Sequence, residues 1–525
     1  MKELHLLYHL ARADFLERAR RYSFLITLGL TILAAYAYLP SWKADYLTFG
    51  LGVHRGVYNS AWVGGAVAVL TVMFLSLPAF YLVKNAIERD TSTRVGQILA
   101  TTPLTRIQYT LGKTLSNFLY LSAMVGVMAI AAGAMQLVRG EVLAIDPWAL
   151  VSPFIFVVLP AMAVIAAMAL LFEAIPWLRG TFGNVIYFFF CFGLLTLTAL
   201  GTLTNPRSAP APAIDLWGTS SVLAPMMRDT AAAFPDYSGF FSIGVFPMTG
   251  APQTFVWAGV SWTPDIILGR LLWIGVAMGM ALLAAVFFHR FDPAAAKPRM
   301  GRQLAAPSDL PEARLSAPSV RAAQLSPLSR RQVQLRFGSL VVAELRLMLK
   351  GIGWWWLALA VALIVAGAVV PLDMARQLLL VTWVLPLALW SSMGCRETLY
   401  RTNQLVFSAP HPLVAQLPAA WFAGVLVTFF MGSSIAVRLA LAADWIHVLA
   451  WGTGLFFIPS LALAAGAVSR SSKLFEVIYM VLWYAGPVNR FASLDFMGAG
   501  EIVSFSAMSL FWLCTLGLLI LSVWG

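Results

Sequence analysis

The chain predicts an all-α polytopic membrane protein, and three observations predict it. Of its 525 residues, 60% are hydrophobic and only 11% charged, where a soluble chain would carry about a quarter charged. Its apolar runs each come near the roughly 20 residues that a helix needs to cross a bilayer. They also lack the alternation of a membrane barrel. The third observation is a polar motif that occurs twice, each time between two long apolar runs. Residues 89–103 read RDTSTRVGQILATTP, and residues 396–410 read RETLYRTNQLVFSAP. At a constant offset of 307 they share Arg89/Arg396, Arg94/Arg401, Gln97/Gln404 and Pro103/Pro410. Asp90/Glu397, Ile98/Leu405, Leu99/Val406 and Thr101/Ser408 are conservative matches. An internal repeat is the signature of a duplicated unit.

The elements follow in chain order. Residues 1–22 predict an amphipathic helix, with Leu4, Leu7, Tyr8, Ala11, Phe15, Ala19 and Tyr22 at helical spacing and Arg12, Glu17, Arg18, Arg20 and Arg21 on the other faces. A basic amphipathic helix just before a span belongs in the membrane interface. Six spans follow, at 23–40, 60–83, 114–137, 151–172, 181–203 and 266–288. The stretch 289–338, rich in Pro, Ala, Ser and Arg, predicts a cytoplasmic linker. A second interfacial helix over 339–350 contains Glu344, Arg346 and Lys350, and six more spans lie at 353–371, 377–394, 419–441, 449–468, 474–487 and 502–524. The expected organisation is therefore a first transmembrane half at 1–288, the linker, and a second half at 339–525. About 12 transmembrane helices then form two tandem six-helix repeats.

With the N-terminus cytoplasmic, 26 of the 35 Lys and Arg residues fall on the cytoplasmic side and 9 outside. The positive-inside rule favours this orientation, which puts both motifs and both termini in the cytoplasm. The formal charge of +12 then reflects loop topology and gives no reason to expect nucleic-acid binding. Nothing in residues 1–22 has the form of a cleavable signal. The longest outside segment, 204–265, is long enough to hold structure of its own.

The repeated motif reads as a short cytoplasmic helix. Asp90 and Arg94 are spaced i,i+4, as are Glu397 and Arg401, a pairing that supports an exposed helix. Val95, Ile98 and Leu99 give one apolar face, and Leu405, Val406 and Phe407 the other. Pro103 and Pro410 end the helices. Such a face either packs on its own membrane domain or docks into a groove on a soluble partner. Two copies favour a partner with two-fold symmetry.

Here the chain resembles the type-2 ABC transporter permeases. Glu88-Arg89-Asp90, then Gly96 to Arg106 (GQILATTPLTR), then Leu111-Gly112-Lys113 is similar to the cytoplasmic loop between spans two and three of that family. The family's half, six spans behind an interfacial helix, matches both halves here. The second copy departs from the pattern, with Asn403 for Gly96 and Ala419-Ala420 for Gly112-Lys113. The resemblance implies a permease subunit of an ABC exporter in the bacterial cytoplasmic membrane. Two copies of a separate ATPase subunit would carry the ATP and Mg, and a transport path would run between spans two and five of each half. It also implies that Arg89, Asp90, Arg94, Gln97, Ile98, Leu99 and Pro103, with Arg396, Glu397, Arg401, Gln404, Leu405, Val406 and Pro410, couple to those ATPases. Glu173 and Arg179, and Arg470 and Glu476, stand in matching turns between the fourth and fifth spans of each half. They are either turn caps or secondary ATPase contacts.

Other features are decoys. Gly112-Lys113-Thr114 imitates the end of a phosphate-binding loop, but position 107 is Ile and no strand precedes it. No other stretch offers such a loop, so the chain is expected to hydrolyse no ATP alone and to carry no cofactor or metal. His5 and His9, spaced i,i+4, have no acidic or thiol partner nearby. Cys191, Cys395 and Cys514 read as small buried hydrophobes. Arg270 and Arg438, near outer span ends, are expected to snorkel to headgroups, and Trp354-Trp355-Trp356 to anchor at the interface. A secondary transporter needs buried titratable groups along its spans, which this chain lacks. A membrane subunit that transmits ATPase work to an outside partner is the third class, and 204–265 is the segment that would serve it.

Overall fold

The computed structural model describes residues 2–204, 215–237, 239–248, 252–288, 337–350, 352–400, 402, 404, 406, 408, 412–488, 491–500 and 502–524. The predicted linker up to residue 336, and Arg401, Asn403, Leu405, Phe407 and Pro410, lie outside these. The chain divides into two compact units, Met1–Ala295 and Ala296–Gly525.

In the first unit, α1 (Lys2–Ala19) turns at residues 20–21 into α2 (Tyr22–Tyr38). Two short strands follow, β1 (Tyr46–Gly50) and β2 (His54–Gly56), and then α3 (Ser60–Val83). The loop helices α4 (Ala86–Ser92) and α5 (Val95–Thr101) lead to α6 (Arg106–Arg139). Next come α7 (Pro147–Pro153) and α8 (Leu159–Ala174), which form one rod through a π-helical turn at Phe154–Val158. Pro153 and Pro160 each lack an amide donor, and the wider turn between them absorbs the lost register. The unit continues with α9 (Thr181–Thr204), α10 (Ser220–Ala233), β3 (Ser242–Pro247), β4 (Gln253–Phe255) and α11 (Pro264–Phe287). Its core is the α3 and α8 pair, both buried on almost every face.

Small residues set how closely those rods approach. A Cβ on Gly64 would come 2.5 Å from the Leu150 carbonyl oxygen and 2.9 Å from that of Ala149, so α3 meets α7 backbone to backbone. Neither oxygen can swing away. Gly64→Ala is therefore expected to cost about 1–3 kcal/mol. Thermal unfolding in detergent checks this. Gly126→Ala, with open space around it, is the control.

Beyond the ends of these rods the strands pair across a long sequence gap. β1 lies antiparallel to β3, with Leu47 opposite Phe246 and Gly50 opposite Ser242. β2 lies parallel to β4, with Arg55 opposite Thr254. The buried Arg55 guanidinium donates to both carboxylate oxygens of Glu141, at 2.7 and 3.1 Å. The segment 204–265 thus holds folded structure where it is described.

The second unit runs α12 (Phe337–Leu349), α13 (Trp354–Val369), α14 (Leu372–Thr382), α15 (Leu387–Trp390), α16 (Arg396–Leu399), α17 (Pro412–Leu441), α18 (Trp445–Ser469) and α19 (Ser472–Trp483). A π-helical turn at Tyr484–Val488 extends α19, and α20 (Phe505–Trp524) closes the chain. Gly394, with φ of 72°, and Gly466 let the stretch before α16 lie against α18. A Cβ on either would overlap the backbone of the other segment.

Nine helices among the described residues are long and apolar enough to cross a membrane. Helices stand at the other three expected spans too, but shorter ones. α2 has 17 residues, α13 has 16, and α19 has 12 before its π turn. Pro371 stands two residues past the end of α13, and Pro487 lies inside the π turn that follows α19.

Two expectations fail near the span ends. Arg270 is buried, and its guanidinium donates to the carbonyls of Asp215 and Leu216. Arg438 donates to the carbonyls of Gly367, at 2.9 Å, and Val370. Both satisfy carbonyls in a loop or at a helix end, and the buried Arg270 has no path to a headgroup.

Candidate functional site

The conserved arginine of the repeated motif is an internal anchor. α1 turns Ala11, Asp14 and Arg18 inward, so its buried face is charged rather than the apolar stripe expected from spacing. Asp14 accepts from Lys113 Nζ at 2.7 Å and Ser116 Oγ at 2.5 Å, meets Arg18 at 3.0 Å, and also bonds Arg89. Lys113 bridges to Asp90 at 2.7 Å, and Asp90 accepts from the Tyr109 hydroxyl at 2.8 Å. Lone buried charges are expensive, so these stand only as a matched set. Burial would raise the Asp14 carboxyl, but Arg18, Lys113 and Arg89 together hold it well below the usual carboxylate range.

This explains the Gly112-Lys113 pair. A Cβ on Gly112 would strike the Leu10 side chain, so glycine admits α1, and Lys113 then holds it through Asp14. Lys113 is buried on a helix in two ion pairs, which leaves no room for phosphate. The Thr105–Gln108 capping box opens α6 two residues after Pro103.

Two details of the motif differ from expectation. It is two helices, not one, broken at Arg94, whose φ of 62° lies in the left-handed region. The Asp90–Arg94 helical pair therefore does not form, because the buried Lys113 takes Asp90. The apolar face is also divided. Leu99 packs against a buried cluster of Ile87, Leu104, Tyr109, Leu170 and Phe288. Ile98 points away and is 68% exposed, with Val95 at 42% beside it. Arg94, Gln97 and Pro103 are exposed around them. The loop thus buries Asp90, half-buries Arg89 and shows Ile98, the reverse of a helix built to face water.

The second copy repeats the anchor with fewer charges. Arg396 donates to Glu344 of α12 at 2.8 Å, and Gln416 donates to the other carboxylate oxygen at 3.0 Å. Gln416 stands at the motif offset of 307 from Tyr109. Burial raises the Glu344 carboxyl above its ordinary value, against the pull of Arg396. Glu397 lies on α16, Gln404 is exposed and Val406 half-buried.

The matching turns are split in the same way in both units. Glu173 and Glu476 are buried, whereas Arg179 and Arg470 are exposed. Glu173 accepts from the Glu88 amide at 2.7 Å and so caps α4 from within, and the Arg179 Nε donates to the Glu173 carbonyl at 2.8 Å. Of these four, only Arg179 and Arg470 are open to a partner. His5 and His9 stack at 6.1 Å along an exposed face of α1.

Two further features relate the halves. The sequence pairs Val185-Ile186-Tyr187 with Val477-Ile478-Tyr479, and the structure adds what the tyrosines hold: Tyr187 donates to the Ser76 carbonyl and Tyr479 to the Trp383 carbonyl, each at 2.7 Å, and Ser76 and Trp383 are themselves 307 apart. The other is a pair of aspartate loops, DLWGTS at 215–220 and DFMGAG at 495–500. Asp215 caps the amides of Gly218 and Ser220, and Asp495 those of Met497, Gly498 and Gly500. Gly218 and Gly498 both take positive φ, at 73° and 69°. An Asp-x-x-Gly search would have found them, but their offset of 280 hides them from an alignment fixed at 307.

No protein-family model matches the chain, and no curated protein or solved structure matches it significantly.

Proposed function

We propose that this chain is the membrane-spanning subunit of a type-2 ABC exporter, built as two six-span halves in a bacterial cytoplasmic membrane. Two copies of a separate ATPase subunit dock on the motif loops, and their nucleotide-driven closure moves those loops. One observation carries the proposal. Between the long helices α3 and α6, α4 and α5 turn Arg89 and Asp90 inward and Ile98 outward. A water-facing loop has no reason to do so, whereas a loop that seats in an apolar groove does. Movement at Ile98 has a short route inward, because Leu99 touches the cluster shared with α8 and α11, and Arg89 is bonded to α1. Within each unit a tyrosine then ties the fifth span to the second.

A secondary transporter remains the weaker proposal. Asp14, Asp90, Glu173, Glu344 and Glu476 are buried acids near the loops, and they stand on the first described helix of each unit, on the loop helices or near helix ends, away from mid-span. The paired strands and α10 favour a second role, in which the same ATPase work is passed to a partner outside.

The test is reconstitution in lipid nanodiscs with candidate ABC ATPase subunits from the same genome. Two ATPase copies per chain, and hydrolysis severalfold above that of the free subunit, are expected. A chain that takes up no subunit, or leaves its rate unchanged, overturns the proposal.

A further inference from the structure

The end of the second unit away from Arg396 holds a histidine whose two nitrogens face three partners. His447, in the first turn of α18, is buried. Its Nδ1 lies 2.7 Å from Asp444 Oδ1. Its Nε2 lies 3.0 Å from Arg376 Nη1, on α14, and 3.1 Å from the carbonyl oxygen of Gly500. Arg376 is also bonded to Asp373 and stands 4.0 Å from Asp444. The Gly500 amide is held by Asp495 at 2.8 Å. These are the charged groups on the described elements around the ring.

The two partners of Nε2 make opposite demands. A guanidinium only donates and a carbonyl only accepts. Nδ1 faces a carboxylate and therefore carries a proton. In the neutral ring Nε2 is bare, accepts from Arg376, and leaves the Gly500 carbonyl without that donor. In the imidazolium Nε2–H donates to Gly500, and the ring's charge stands against Arg376. One proton exchanges one partner for the other. Burial would raise Asp444, but the hydrogen bond and charge of His447, with Arg376, hold it below its ordinary value. Asp444 thus stays anionic, and Nδ1 keeps its proton in both states.

We infer that His447 is a pH-operated latch, which holds the start of α14 when neutral and grips the 495–500 loop when protonated. The loop can serve as a fixed anvil, because a Cβ on Gly498 would come 2.6 Å from Ala450 of α18. Arg376 begins one of the candidate spans, Leu372–Trp390, so its release loosens a span end. The inference does not rest on the exporter proposal.

Hydrogen–deuterium exchange of the full chain in nanodiscs, across roughly pH 5 to 8 where histidine titrates, tests it. Protection is corrected for the intrinsic pH dependence of amide exchange. On acidification residues 372–378 are expected to lose protection severalfold while 495–500 gain it. His447→Gln removes both responses. Arg376→Gln leaves 372–378 unprotected at both pH values, while 495–500 still responds, and this variant keeps the test open if His447→Gln does not fold. Unchanged wild-type protection, or a wild-type response in His447→Gln, overturns the inference.

Discussion

Asp14→Asn is expected to destabilise the first unit by about 3–5 kcal/mol, the cost of breaking a buried ion pair from one side. The carboxylate faces Lys113, Arg18 and Arg89, and its own side chain is 5% exposed. An amide of the same shape keeps the packing but leaves the surrounding cations one negative charge short. Unfolding in detergent reads the loss. Lys113→Met should cost a similar amount, and the double variant should fall short of the sum by about 0.5–3 kcal/mol, because the two groups touch. The pH dependence follows with a definite sign. The carboxyl is held below its ordinary value in the folded state, so its contribution is full above roughly pH 4. It is lost progressively as pH falls from there toward the lower folded value, because the unfolded carboxyl takes up its proton first. Wild type should therefore lose stability on acidification below about pH 4, and Asp14→Asn should lose less.

Ile98→Asp is expected to act in the opposite way. With 68% of the residue exposed, unit stability should change by no more than about 0.5 kcal/mol. Loss of ATPase docking should nevertheless be near complete, because a charge would enter an apolar groove. Leu99→Asp, one residue on, places its charge against Leu104, Tyr109 and Phe288, and should unfold the local structure as well. Comparing the neighbours separates docking from packing. A variant pair that behaves alike, in either sense, contradicts the division of the loop into an inner and an outer face.

Much of this architecture was legible in the sequence. The apolar runs placed helices correctly, because a span must satisfy its backbone internally whatever surrounds it. The motif pointed to a real element, since Arg89 and Arg396 each meet an acid on the first described helix of their own unit. The choice of acid was not legible. Asp14 and Glu344 stand at different distances from their arginines in sequence, and nothing at a fixed offset links them. Spacing alone also misread Asp90. A local i,i+4 partner is worth a few tenths of a kcal/mol in water, and a buried lysine from the next span outbids it. The seventh span was placed three residues too long, since its helix stops at Val369, two residues before Pro371. The division between Ile98 and Leu99 needed the tertiary structure, since adjacent residues on a helix differ by about 100° in direction.

The most direct test of the docking face is photo-cross-linking in native membranes from a benzoyl-phenylalanine placed at position 98, with position 130 as control. Ile130 is 75% exposed on α6, within an apolar span that gives it lipid to face. The account predicts a cross-link from position 98, absent from position 130, to a polypeptide whose peptides include a GxxxxGK[ST] nucleotide-binding loop. Cross-links from position 98 to lipid alone, to this chain alone, or to a protein without that loop would contradict it.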